Sequence, residues 1–224
     1  MNLSRRLALI STFAAIVAIV DSIPGIPQFE SGVWYSWVFL LTPLVAFILG
    51  PMDGFFSLLV GVIIGHYVYF RGPYEFIFTL GAPIGAFIGG LTFQNRNRIP
   101  IIYYTILILV YFLTPIAYQL PIWGIWDVLL AFCILLIFNL LLNSKSRLLI
   151  CSLICLEADV LFRIFVFVPL NTYQTFYGFT LEIMRIIWIG GALITPIQVG
   201  LSLIFTSFTY PYVVKVVEKY IGKE

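Results

Sequence analysis

Charge is scarce in this sequence. Asp, Glu, Lys and Arg make up 10% of the 224 residues, against about 25% in a soluble domain, while 62% are hydrophobic and the mean hydropathy is +1.07. These values exclude an ordinary soluble globular domain. The 12 Lys and Arg against 10 Asp and Glu leave a net charge of +2. The basic residues are spread along the chain rather than gathered on a phosphate-binding face, which argues against nucleic acid as a partner. Histidine occurs once, as His66, and the 3 cysteines, Cys133, Cys151 and Cys155, all lie inside apolar runs. Such a set assembles neither a Cys/His metal cluster nor a disulfide framework, so no metal site is expected. Signatures of catalysis are missing as well: there is no H-E-x-x-H, no G-x-S-x-G and no Walker-type phosphate loop. The reading is therefore no catalytic residue and no cofactor, and any ATP-driven role falls to partner subunits.

What the sequence does have is long apolar runs. A bilayer core about 30 Å thick takes about 20 apolar residues per helix, and the chain offers eight candidates, at roughly 5–22, 33–50, 53–70, 76–94, 100–119, 122–142, 148–169 and 184–212. Pro24, Gly25 and Pro27 close the first, Gly50–Pro51 separates the second from the third, and Gly72–Pro73 the third from the fourth. Pro115 within the fifth and Asp127 near the start of the sixth mark both as tilted or partly re-entrant. The first run follows Arg5 and Arg6 like a signal peptide, but lacks a small-x-small cleavage site and reads as a retained helix. The expected fold is all-α: one polytopic transmembrane helix bundle over 1–224, with six to eight helices in a lipid bilayer. With an inside N-terminus, nine of the 12 basic residues fall on the inside and the five Trp near the outer interface. Both termini are accordingly expected to be cytoplasmic, in a cell membrane.

Small residues at four-residue spacing let helix backbones approach closely in lipid. They recur as Ala14 and Ala18, as Gly61 and Gly65, and as Gly81, Gly85 and Gly89. For the glycine stripes the reading is packing within the bundle; for Ala14 and Ala18 a second subunit is as good a partner. Ionisable residues inside a span are costly and point to function. Glu157, Asp159 and Arg163 fall in the seventh span; Asp159 and Arg163 are four apart and can neutralise each other, leaving Glu157 on another face to find a partner or a proton. A second set gathers at the outer side, including Trp34, His66, Arg71, Glu75, Asn171, Gln174, Glu182 and Arg185 among several Tyr. Rings with a few hydrogen-bonding groups suit a pocket for a small planar or amphipathic molecule.

The order of features resembles the substrate-binding S-components of energy-coupling factor (ECF) transporters. The resemblance rests on a basic start, the alanine pair of the first helix, Ile23-Pro24-Gly25, the run Leu49-Gly50-Pro51-Met52-Asp53-Gly54, the Gly-rich fourth span, and Thr195-Pro196-Ile197-Gln198 followed by Pro211-Tyr212-Val213-Val214-Lys215. It implies a small-molecule substrate, a vitamin or trace nutrient, captured from outside and passed across with a transmembrane coupling subunit and ATPase subunits. It assigns Ala14 and Ala18 to the coupling subunit and places Glu157, Arg163, Asn171, Gln174 and Glu182 near the binding cavity. The family has six helices, so 100–142 reads as an added hairpin. Two further readings stand beside it: an accessory or assembly subunit of a larger membrane complex, with its small-residue stripes covered by partners and no outward cavity, and a membrane enzyme working through Glu157, Asp159 and Arg163.

Overall fold

A computed structural model describes residues 3–25, 36–137 and 144–221. The chain is all-helical, with no strand among the described residues. Ten α-helices follow one another: α1 (Leu3–Asp21), α2 (Thr42–Leu49), α3 (Pro51–Val68), α4 (Glu75–Phe78), α5 (Gly81–Phe93), α6 (Arg98–Leu113), α7 (Trp126–Leu136), α8 (Ser144–Phe167), α9 (Thr172–Thr175) and α10 (Leu181–Ile221). Short 3-10 turns precede α2 and bridge α6 to α7.

Four stretches are long and apolar enough to cross a membrane: Leu3–Asp21, Pro51–Val68, Glu75–Phe93 and Leu181–Tyr220. The eight expected spans change in four places. In the described part of the run 33–50, a 3-10 turn spans Trp37–Leu40 and α2 is 8 residues long. The run 76–94 breaks at Thr79–Leu80 into α4 and α5. Within 100–142, α6 stops at Leu113 and α7 holds only 11 residues. Thr114 is extended because Pro115 disfavours the helical region at the residue before it. α8 is 24 residues long but carries Glu157, Asp159 and Arg163 in its C-terminal half. α10 runs for 41 residues, about 61 Å at 1.5 Å per residue, roughly twice the apolar core of a bilayer.

Glycines set the packing order. A Cβ at Gly61 would lie 2.5 Å from Val17 and one at Gly65 2.7 Å from Asp21, so α3 meets α1 backbone to backbone. A Cβ at Gly89 would lie 2.4 Å from the Cβ of Cys155, and one at Gly85 2.6 Å from the Cys155 carbonyl, which seats α5 on α8. Within the row α1–α3–α5–α8, the α1–α3 and α5–α8 contacts thus centre on glycines, as expected in lipid, where packing and not water exclusion holds helices together. Cys151 and Cys155 are fully buried in that seam as small packing residues.

Ion pairs tie the row at both ends. Arg6 on α1 donates to both carboxylate oxygens of Asp53 on α3, at 2.7 and 2.6 Å. At the other end of α1, Arg71 pairs with the buried Asp21. Arg147 caps the end of α5 through the Phe93 carbonyl and lies 5.1 Å from that residue's ring centroid.

A candidate ligand cavity between α7, α8 and α10

α10 forms one wall of the bundle's main cavity. Its outward side carries a line of exposed apolar residues, among them Leu193, Ile197, Leu201, Ile204 and Phe208. Its inward side carries Trp188, Gly191, Thr195, Gln198 and Val199 and faces a cavity of about 130 Å³. The remaining walls come from the 3-10 turn at Val38–Phe39, from Gly124 and Asp127 at the start of α7, and from Asp159, Arg163 and Phe167 on α8. A Cβ at Gly191 would meet nothing within 4 Å, so the α10 wall is set back at that point.

The charged groups in the cavity have identifiable supports. Arg163 donates its Nε to Asp159 Oδ1 at 2.6 Å and its terminal nitrogen to Oδ2 at 3.2 Å, the two-point geometry open to a guanidinium. Gly81 makes room for that carboxylate, since a Cβ there would fall 2.0 Å from Asp159 Oδ1. Asp127 lies in the first turn of α7, where the helix dipole favours negative charge. Its Oδ1 accepts from the Val128 amide at 2.9 Å and its Oδ2 from the Thr195 hydroxyl at 2.5 Å, which joins α7 to α10. Pro196 removes the amide that would otherwise bond the Ala192 carbonyl, and the Trp126 indole N–H fills that place at 3.2 Å.

Beside the main cavity lies a void of about 10 Å³, close to the size of a single water, which shares Ser36, Val38, Phe78 and Arg163 with it. Its own polar walls are Asp21, Arg71, Glu75 and Thr79. Glu75 Oε1 accepts from the Tyr177 hydroxyl at 2.7 Å. Burial and then the adjacent Glu75 push the Tyr177 phenol well above its usual range, so it remains a donor. His66 is buried, donates Nε2 to the Gly72 carbonyl at 3.0 Å, and stands edge-on to Phe70 and Phe76. It shapes the loop carrying Arg71 rather than facing the main cavity.

The site residues expected from the sequence therefore divide among several places. Arg163 lines both voids, and Arg71 and Glu75 line the smaller one. Asn171 and Gln174 line a separate groove of about 490 Å³ with Thr114 and Gln119, and their side chains meet at 3.4 Å. Glu182 and Arg185 are exposed, and Arg185 donates to the Gln119 carbonyl at 3.2 Å. Glu157 is fully buried outside both voids, with neither carboxylate oxygen hydrogen-bonded. An ionised carboxylate without donors is very costly in such a place. Ala14 and Ala18 are buried against α3, their carbonyls facing Gly61 and Gly65. Trp34 lies outside the described residues. Sequence reasoning missed Trp188 and the Asp127–Thr195 pair as site residues. A charge in an apolar run and the Thr-Pro-Ile-Gln stretch were the available signals, but neither says that α7 and α10 meet. Among the described residues no three His, Cys, Asp or Glu side chains converge as a metal site requires. In comparisons of the chain with protein-family models, with curated proteins and with solved structures, none matches.

Proposed function

We propose that the chain is the substrate-binding subunit of a small-molecule importer in the cell membrane, of the kind that S-components represent. In this reading it captures its substrate from the outer side, and partner subunits supply the coupling and the ATP hydrolysis. The observation that carries the reading is the cavity of about 130 Å³, walled by apolar rings with a few fixed polar groups and closed on one side by α10. The spread of basic residues supports cytoplasmic termini: Arg96, Arg98, Lys145, Arg147, Lys215, Lys219 and Lys223 join Arg5 and Arg6 on one side. An accessory role expects the small-residue stripes to await other subunits, whereas Gly61, Gly65, Gly85 and Gly89 close on α1 and α8 of the same chain. Because α3 occupies the Ala14 and Ala18 face of α1, a coupling subunit's contact with α1 is left to the opposite face.

Native purification followed by mass spectrometry tests the reading, with Gly191→Leu as the filled-cavity control. A small molecule retained by the natural protein and lost from the folded variant supports it. An empty chain travelling with unrelated membrane subunits overturns it in favour of the accessory role.

A further inference from the structure

We infer that the cavity takes a small cation, a protonated amine or quaternary ammonium, with Asp127 as the residue that answers its charge. The inference rests on the proposed binding function and narrows it to a class of ligand.

The two α8 charges that line the cavity already answer one another, since Arg163 holds Asp159 at two points, 2.6 and 3.2 Å. Asp127 is different. It is 4% exposed, and its oxygens are met by a backbone amide and a hydroxyl, both neutral donors. None of the three ion pairs among the described residues includes it. The cavity wall thus carries two carboxylates and one guanidinium. A carboxylate held from water without a counter-ion is unfavourable, and an entering cation relieves that cost. An anion would add to it, or would have to part Arg163 from Asp159 first.

The apolar walls suit the same ligand. Trp188, Phe78 and Phe167 line the cavity, and aromatic rings attract cations through their quadrupole, most strongly where water is excluded. Trp188 is braced from behind by Tyr111, stacked at 5.7 Å and 3°, and Phe78 stands edge-on to Phe167 at 6.0 Å. These rings are fixed by their neighbours before any ligand arrives. An ammonium near Asp127 Oδ2 would also come within reach of the Thr195 oxygen, which lies 2.5 Å from that carboxylate.

The test uses the purified full chain in detergent and three probes matched in shape: choline, its neutral counterpart 3,3-dimethylbutan-1-ol, and the anion 3,3-dimethylbutanoate. Binding is read by titration calorimetry in the natural protein and in Gly191→Leu, Asp127→Asn and Asp127→Glu. The expected result is choline bound at least about tenfold more tightly than the alcohol, the anion weakest, and all binding lost in Gly191→Leu. Asp127→Asn collapses the choline-to-alcohol ratio and Asp127→Glu largely restores it, so a fold-level defect in the Asn variant is distinguished from a lost charge. Equal or tighter binding of the alcohol or the anion, still abolished by Gly191→Leu, overturns the cation assignment and leaves the binding function standing. Absence of any binding that depends on Gly191 overturns the cation assignment, and the binding function then stands or falls with the ligand retained on native purification.

Discussion

Asp159 shows how differently a buried charge behaves with its partner and without it. It lines the cavity beside the half-buried Arg163, and without that guanidinium it would be an uncompensated ion in a low-dielectric wall. Replacing Arg163 by Gln is expected to cost on the order of 3 kcal/mol. The double replacement Arg163→Gln with Asp159→Asn should cost less than the single one, because no charge then remains to be answered. Thermal unfolding of the singles and the double in detergent measures this, and strictly additive losses would show that the pair is not coupled. This pairing was legible in the sequence, since a spacing of four on a helix places two side chains on one face. The tie from Asp127 to Thr195 was not: 68 residues separate them, and no local rule brings α7 to α10.

At the scale of elements, the glycine stripes and the lone Gly191 make opposite predictions from the same residue type. Gly89→Ala places a methyl group 2.4 Å from the Cys155 Cβ, so α5 and α8 must part, at about 1–3 kcal/mol. Gly191→Ala meets nothing within 4 Å and removes a helix-interior glycine, for a gain of about 0.5–1 kcal/mol. Unfolding midpoints of the two variants should therefore move in opposite directions; a shared direction would contradict the packing order described here. The presence of helices was plain from apolar runs, and their ends often were not. Gly50 and Pro51 marked a boundary correctly because Gly50 adopts a φ of +84° there and Pro51 opens the next helix. The region 100–142 defeated the same reasoning: Pro115 and Pro121 sit close together, and the stretch between α6 and α7 folds into 3-10 turns that hydropathy does not distinguish from helix.

The whole molecule is a row of closely seated helices with α10 set beside it across a cavity. Four stretches are suited by length and composition to cross a bilayer, and the basic residues are distributed as expected for two cytoplasmic ends. Reporter fusions at both ends should be active only on the cytoplasmic side, and a thiol-reactive, membrane-impermeant label should reach a cysteine placed at the exposed Tyr118 from outside; the reverse pattern would invert the orientation. The site was legible as a neighbourhood more than as a list of residues. Arg163, Arg71 and Glu75 border the two voids, whereas Asn171 and Gln174 line a groove of their own. Composition marked where polar groups interrupt the apolar runs, but helix rotation decided which of them face a common space.

Trp126 holds the Ala192 carbonyl at the one point on the cavity side where Pro196 breaks the bonding of α10. Below that point the helix continues for about 25 residues to Ile221, an arm of roughly 37 Å at 1.5 Å per residue. Each degree of bending at Pro196 would therefore swing the far end by about 0.6 Å. The indole hydrogen bond thus restores at Ala192 the bond that Pro196 cannot make, where the part of α10 that borders the cavity meets the longer part that ends near Lys215 and Lys219.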